Sequence, residues 1–313
     1  MRAVVIREFG PPSVLEPAKA DEVSPGPDDV VVDVEFANIT FVETQIRAGR
    51  PPHPSMLPAL PAILGNGVGG TVSGTDRRVV ASLNGTGGYA ERVASPASRL
   101  IDVPDALDMR DAVALLADGR TALAVAARAE LRAGETVLIE AAGGGVGTLL
   151  VQIARNAGAR VVALAGHPRK LALARDLGAD LTVDYRNDGW DRQVRDATGQ
   201  VDVVFDGVGG DIGLTAFGLL GAGGRFCPFG MASGSFTAVS PEQAAAWRIS
   251  LRGGAAASQE ELAALTRAAL AEAAAGHLRP VVGQEFELAQ AAVAHAAIEA
   301  RGTIGKTLLT VPG

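Results

Sequence analysis

The stretch Gly134–Arg155, GETVLIEAAGGGVGTLLVQIAR, constrains the fold more than any other part of the chain. Its apolar run Thr136 to Ile139 reads as a strand, and the glycine turn Gly143-Gly144-Gly145-Val146-Gly147 follows at once. Leu149, Leu150, Ile153 and Ala154 then recur at helical spacing. Strand, glycine turn and helix in that order are what a dinucleotide phosphate site requires. Glycines let the backbone turn tightly and approach a pyrophosphate, whose charge the amide N–H groups at the helix start can meet. A glycine cluster alone says little, because ordinary loops are glycine-rich; the flanking strand and helix carry the reading.

The remainder of the chain fits around such a unit. Its 313 residues allow two domains or one large α/β unit, and 48% hydrophobic with 20% charged residues describes a globular chain, not a disordered one. The formal charge of −7 argues against a nucleic-acid surface, which normally carries a basic stripe. Cys227 is the single cysteine, so neither an internal disulfide nor a cysteine zinc cluster can be built. The opening MRAVVIREFG lacks the apolar segment of a signal peptide, and no run approaches the length of a membrane span. A cytoplasmic location without membrane or nucleic-acid partners is therefore expected.

The first hundred residues read as β-rich. Val30–Phe36 partly alternates, Arg77–Ser82 and Tyr89–Val93 are short apolar strands between glycine turns, and the proline-dense segment Pro51–Pro61 is an irregular loop. From about Asp111 the texture changes. Helices are expected over Asp111–Glu130, Thr148–Asn156, Pro168–Leu177 and Asp211–Leu220. Between them fall strands at Thr136–Ile139, Arg160–Leu164, Leu181–Val183, Val201–Phe205 and Arg225–Phe229, with a further one near Arg248–Arg252. This alternation predicts a doubly wound parallel sheet. Glu260–Ala275 is an alanine-rich helix, and Thr303–Val311 a last strand that returns to the first domain.

In such sheets the ligand lies beyond the carboxyl ends of the strands, and the end of the second strand selects the dinucleotide. An NAD site wants an acidic residue there for the ribose. Here Ala165-Gly166-His167-Pro168-Arg169-Lys170 holds no carboxylate. Gly166 leaves room, and Arg169 and Lys170 can pair with a 2′-phosphate, which favours NADP(H). The competing reading of the two cations is a solvated first helical turn.

Gly134-Glu135, Leu138, Ala142–Gly147, Gln152 and Arg155 together resemble the signature of the quinone oxidoreductases, the zeta-crystallin-like, zinc-independent branch of the medium-chain dehydrogenase/reductase superfamily. The likeness extends through the opening VVIREFGPPSVLE, Gln45–Gly49, Asp180–Arg186, Phe205–Gly209 and Gly224–Gly230. It implies an α/β chain with a GroES-like β-rich substrate domain (1–112, with 255–313 returning to it) and a Rossmann NADP(H)-binding domain (113–254). It also implies a homodimer, with a strand near Ile249–Leu251 extending the sheet. Carried over by position, Gly144, Gly145 and Val146 would face the pyrophosphate, while Gly166, Arg169 and Lys170 would hold the 2′-phosphate. Tyr185 would lie at the adenosine end, with Phe229 and Gly230 bordering the nicotinamide side. Thr40, Phe41, Thr121 and Lys306 would complete the cofactor contacts. Core packing competes as a reading of Phe229, a half-buried strand-end tyrosine as one of Tyr185, and a solvated edge-strand lysine as one of Lys306. Asp206 reads as structural, bonding to nearby backbone amides.

Zinc-dependent relatives carry a cysteine and a His-Glu pair where this chain has Thr40 and Leu64-Gly65-Asn66-Gly67, and His53, His167, His277 and His295 show no paired ligand spacing. No metal is expected. What remains is hydride transfer to a polarised acceptor, a quinone or a conjugated carbonyl, whose developing oxyanion wants a hydrogen-bond donor. Thr40 and Gln45 are the candidate polarising residues; the family's usual asparagine and tyrosine are absent from those positions, and Glu43 replaces its usual aspartate. Two alternatives stay open: an enoyl or alkenal reductase of a biosynthetic pathway, and a non-catalytic NADPH-binding protein with a sensing or structural role.

Overall fold

The computed structural model describes residues 1–83, 85–254 and 257–311. Ala255, where the sequence sets the return to the first domain, lies outside the described residues. The chain divides into two compact units, Met1–Gly119 with Thr266–Gly313, and Arg120–Leu265.

The first unit opens with β1 (Arg2–Ile6), β2 (Glu16–Lys19) and the long β3 (Asp29–Ile39), followed by α1 (Phe41–Arg47). Short strands then follow: β4 (Ala62–Ile63), β5 (Gly67–Val72), β6 (Arg78–Ser82), β7 (Arg92–Pro96) and β8 (Ile101–Asp102). The helix α2 (Met109–Ala129) spans the first division of the chain. In the second unit β9 (Thr136–Ile139), α3 (Gly145–Asn156), β10 (Arg160–Ala165), α4 (Pro168–Asp176), β11 (Leu181–Asp184) and α5 (Trp190–Thr198) alternate. The series continues with β12 (Val201–Asp206), α6 (Gly210–Phe217), β13 (Leu220–Pro228), α7 (Pro241–Ala246) and β14 (Ser250–Leu251). The tail holds α8 (Gln259–Ala274), β15 (Val282–Glu287), α9 (Ala291–Glu299) and β16 (Lys306–Thr310).

Among the described residues the strands form three sheets. The six-stranded sheet of the second unit is parallel throughout, in the order β11-β10-β9-β12-β13-β14. That is the order of a Rossmann sheet, with its reversal between β9 and β12. Its central strands are buried, Val137, Leu138 and Ile139 at 0% exposure, because helices cover both faces of a parallel sheet. The core beneath includes Leu138, Val162, Leu164, Val204, Phe217 and Phe226.

The first unit, the GroES-like part, holds a seven-stranded sheet in which β15 and β16 pair parallel and β16, β3, β5, β6 and β8 continue antiparallel, with β7 also on β3. A three-stranded sheet β2-β1-β4 accompanies it. The tail strand β16 thus pairs with β3 of the N-terminal stretch.

Several boundaries differ from expectation. The strand expected at Tyr89–Val93 lies at Arg92–Pro96 instead; Tyr89 is committed to the core, its N–H bonding to Leu64 O and its carbonyl accepting from Val4. The helix expected from Thr148 starts at Gly145, since glycine's weak helix propensity hides a first turn that tertiary packing supplies. The helix expected over Asp211–Leu220 ends at Phe217, and β13 begins at Leu220, before the expected Arg225.

Candidate functional site

In the second unit the turn after β9 is built for close approach. Ala141 takes the left-handed conformation (φ 48°), and its carbonyl accepts the Gly144 N–H at 2.8 Å. A Cβ on Gly147 would stand 2.2 Å from that same carbonyl oxygen, so only glycine closes the turn. Gly144 is the N-cap of α3 and no side chain caps the helix, leaving the first-turn amides of Gly145, Val146 and Gly147 without intrahelical acceptors. These donors and the positive end of the helix dipole suit an anion.

The end of β10 lies beside this turn in the sheet order. A Cβ on Gly143 would stand 2.5 Å from the Lys170 side chain, so the lysine stem packs against the glycine turn. At Gly166 the corresponding distance is 3.1 Å, to the Tyr185 ring and hydroxyl. Tyr185 is half-buried, packed against the core of the unit. Arg169 is exposed in the first turn of α4, and His167 caps that helix by accepting the Arg169 N–H on Nδ1 at 3.2 Å. His167 was not singled out as a cap by the sequence reading, although a polar residue before Pro168 signals one.

At the ends of β12 and β13 the Asp206 carbonyl accepts the N–H groups of Phe229 (2.8 Å) and Gly230 (3.2 Å), so these two residues stand at the mouth of the sheet, both half-buried. A Cβ on Gly207 would meet the Phe229 ring at 2.4 Å. The Asp206 side chain accepts from the Gly209 amide at 2.7 Å and from the Thr237 hydroxyl at 2.6 Å. Thr121, half-buried on α2, belongs to the same unit.

In the first unit, Thr40 and Glu43 form a reciprocal cap on α1. The Thr40 N–H and hydroxyl donate to Glu43 Oε2 at 2.5 and 3.1 Å, and the Glu43 N–H donates to Thr40 Oγ1 at 3.4 Å. The spacing T-x-x-E is a capping-box signature that the sequence reading passed over in favour of substrate chemistry. The other Glu43 oxygen accepts the Asn66 N–H at 2.6 Å. Burial pushes the Glu43 carboxyl up, opposed by those hydrogen bonds and by the Lys306 charge. Gln45 donates from Nε2 to Thr44 Oγ1 at 3.1 Å, and Phe41 is half-buried under the Arg301 guanidinium, 5.2 Å from its ring centre. Lys306 is not a solvated edge lysine: β16 lies between β15 and β3, the side chain is 4% exposed, and Nζ pairs with Asp118 at 3.0 Å.

Sequence reading also missed Asn38. It is buried two positions before Thr40, and neither atom of its carboxamide has a hydrogen-bond partner among the described residues. A Cβ on Gly67 would stand 2.4 Å from its nitrogen, so the glycine makes room for the amide. Elsewhere in this unit a cavity of about 330 Å³ is lined by Pro11, Arg47, Arg50 and Glu299 among others, and its Arg47 is spent on Gly10 O and Glu299.

The described residues hold no group of three or more His, Cys, Asp or Glu side chains able to bind a metal ion. The second unit does suit a dinucleotide phosphate, with its uncapped α3 amides, its close-packed glycines and its adjacent basic helix start.

Comparison with known proteins agrees with this architecture. The family model described as zinc-binding dehydrogenase matches residues 145–271. A quinone oxidoreductase of Pseudomonas aeruginosa is 32% identical, with 96% of this chain and 97% of that protein covered. A 2-haloacrylate reductase of Burkholderia is 31% identical over 99% of this chain and 98% of that protein. The solved quinone oxidoreductase of Thermus thermophilus, also determined in complex with NADPH, is 33% identical, with a TM-score of 0.81 over 99% of this chain and all of that one (100%). Matched from end to end at these identities, the chain belongs to the quinone oxidoreductase, zeta-crystallin-like branch of the medium-chain dehydrogenase/reductase superfamily.

Proposed function

We propose that the protein is an NADPH-dependent oxidoreductase that reduces a quinone or a conjugated carbonyl compound without a metal ion. The observation that carries this reading is the glycine turn at the uncapped start of α3, with Lys170 packed on it and Arg169 beside it where β10 ends without a carboxylate. In this reading the amides of Gly145 and Val146, with the Gly144 backbone, meet the pyrophosphate, and Arg169 and Lys170 hold the 2′-phosphate beside Gly166. Tyr185 serves the adenosine end. Phe229 and Gly230 border the nicotinamide and exclude water, with Thr121, Thr40, Phe41 and Lys306 completing the contacts.

NADPH supplies the hydride when bound. The chain's task is to orient the acceptor and offer hydrogen bonds to its carbonyl oxygen, and Thr40 and Gln45 are the residues assigned to it. The Thr40 hydroxyl is shared with Glu43, so its polarising hydrogen bond competes with the helix cap. The names of the relatives support both acceptor classes: quinones and 2-haloacrylates each place a carbon–carbon double bond in conjugation with a carbonyl or carboxyl group.

We assign residues 1–112 and 255–313 to substrate handling and 113–254 to the cofactor. We place the protein in the cytoplasm as a homodimer; no helix among the described residues is long and apolar enough to cross a membrane, and the exposed β14 at the sheet edge supports pairing. The test is side-by-side turnover of a benzoquinone and a conjugated enone with NADPH, before and after dialysis against a chelator. Turnover of either substrate, unchanged by the chelator, is the expected result. NADPH binding without turnover of any acceptor would return the protein to a non-catalytic role, and loss of turnover on chelation would overturn the metal-free reading.

A further inference from the structure

Two carboxyl groups lie fully buried under the nucleotide turn, and the proposed chemistry uses neither. Glu140 follows directly on β9 and Asp206 ends β12, and both are 0% exposed. The strands are parallel neighbours with Phe205 opposite Ile139, and the Glu140 N–H bonds to Phe205 O at 3.0 Å, which brings the two following side chains together. Three of the four carboxyl oxygens have donors: Glu140 Oε2 accepts the Val208 N–H at 3.0 Å, Asp206 Oδ1 the Gly209 N–H and Asp206 Oδ2 the Thr237 hydroxyl. The fourth, Glu140 Oε1, is buried, and no donor reaches it among the described residues. Asp206 lies beside it on the neighbouring strand, and a proton shared between the two carboxyl groups would satisfy that oxygen.

We propose that Glu140 carries a proton shared with Asp206, and that this acid pair positions the Gly207–Gly209 turn and, through it, the Phe229–Gly230 wall of the nicotinamide side. The pair reaches the wall by a short route. Asp206 O holds the Phe229 and Gly230 amides, Gly207 O and Val208 O accept from Ala232 and Ser233, and the carboxyl groups themselves hold Val208, Gly209 and Thr237. Burial is the first cause holding the Glu140 carboxyl well above its ordinary range, and the Asp206 charge and hydrogen bond act in the same direction. Asp206 on β12 is the titratable group facing Glu140; the 207–209 turn and the loop carrying Thr237 present amides and a hydroxyl. Loss of the shared proton would set two anions against each other in the core and add negative charge beneath a turn assigned to a pyrophosphate. Glu140 is thus a positioning residue, and its role in cofactor binding rests on the NADPH reading above.

The variant Glu140→Gln keeps the shape, donates to Asp206 through Nε2 and accepts from Val208 through Oε1, and it cannot ionise. Infrared spectra of the unliganded protein at neutral pH should show a protonated-carboxyl C=O stretch that is absent from the variant. Identical spectra would overturn the shared proton. NADPH titrations across pH give the second readout. The wild-type Kd should rise toward tenfold per pH unit once the pair loses its proton, and the Glu140→Gln Kd should stay flat. Parallel pH profiles in the two proteins would overturn the positioning role. Failure of the wild type to bind NADPH at any pH would overturn the cofactor reading and the positioning role with it, while the infrared band alone decides the acid pair.

Discussion

We assign the choice of dinucleotide to Arg169 and Lys170. Arg169 is exposed at the start of α4, whereas the Lys170 stem is laid against Gly143. Charge-assisted hydrogen bonds to a phosphate are each worth about 1.5–3 kcal/mol, so the double substitution of Arg169 and Lys170 by alanine should weaken NADPH binding by about 100-fold or more. NADH binding should change little, which a fluorescence titration with both dinucleotides checks. A second residue speaks through pH. His295 bonds through Nε2 to the Tyr89 hydroxyl at 2.9 Å in the core of the first unit, and burial, helped by the Arg47 charge, lowers its pKa from 6.5 to about 3. A group held neutral in the fold but protonated when unfolded contributes fully above pH 6.5, and that contribution is lost as the pH falls toward 3. Urea unfolding of the wild type should therefore weaken by up to about 1.4 kcal/mol per pH unit over that window, relative to His295→Gln, in which this slope is absent.

Helix α1 tests what Thr40 is for. As a cap it contributes about 1 kcal/mol, so Thr40→Ala should lower the urea-unfolding free energy by about that much. A polarising role adds a separate loss in kcat, which Thr40→Ser should restore along with the cap; a variant that loses stability alone would leave Thr40 as a cap only. The same helix shows where sequence reading stops. The strands and helices of the second unit were legible because continuous apolar runs and glycine breaks repeat in order, and β9 falls at the expected residues Thr136–Ile139. The start of α3 was not, since the glycines of Gly143–Gly147 carry no helical signal and the turn depends on a close approach to Ala141 O that arises only in the folded chain. Around Thr40 the sequence offered chemistry and capping in the same four residues. Asn38 and Glu140 are not legible as special in the sequence, because a buried polar atom without a hydrogen-bond partner is a property of packing, invisible to periodicity.

Across the whole molecule, buried titratable groups make stability depend on pH in both directions. Glu140 and Glu43 are held above the ordinary carboxyl value of 4.5, so their contribution to stability is present at low pH and is lost as the pH rises through their raised values. His295 acts in the opposite sense, its contribution growing as the pH rises toward 6.5, so the two trends oppose each other above the ordinary carboxyl value of 4.5. The stability difference between wild type and Glu140→Gln should accordingly move against the wild type as the pH rises, a trend that thermal unfolding across pH measures. The fold, the uncapped glycine turn and the basic start of α4 all lead to one cofactor. The most direct test is titration of the purified protein with NADPH and NADH side by side, following nicotinamide fluorescence. Saturable NADPH binding at least about tenfold tighter than that of NADH is expected, a difference of about 1.4 kcal/mol. Equal affinity for the two, tighter NADH, or no binding of either would contradict it.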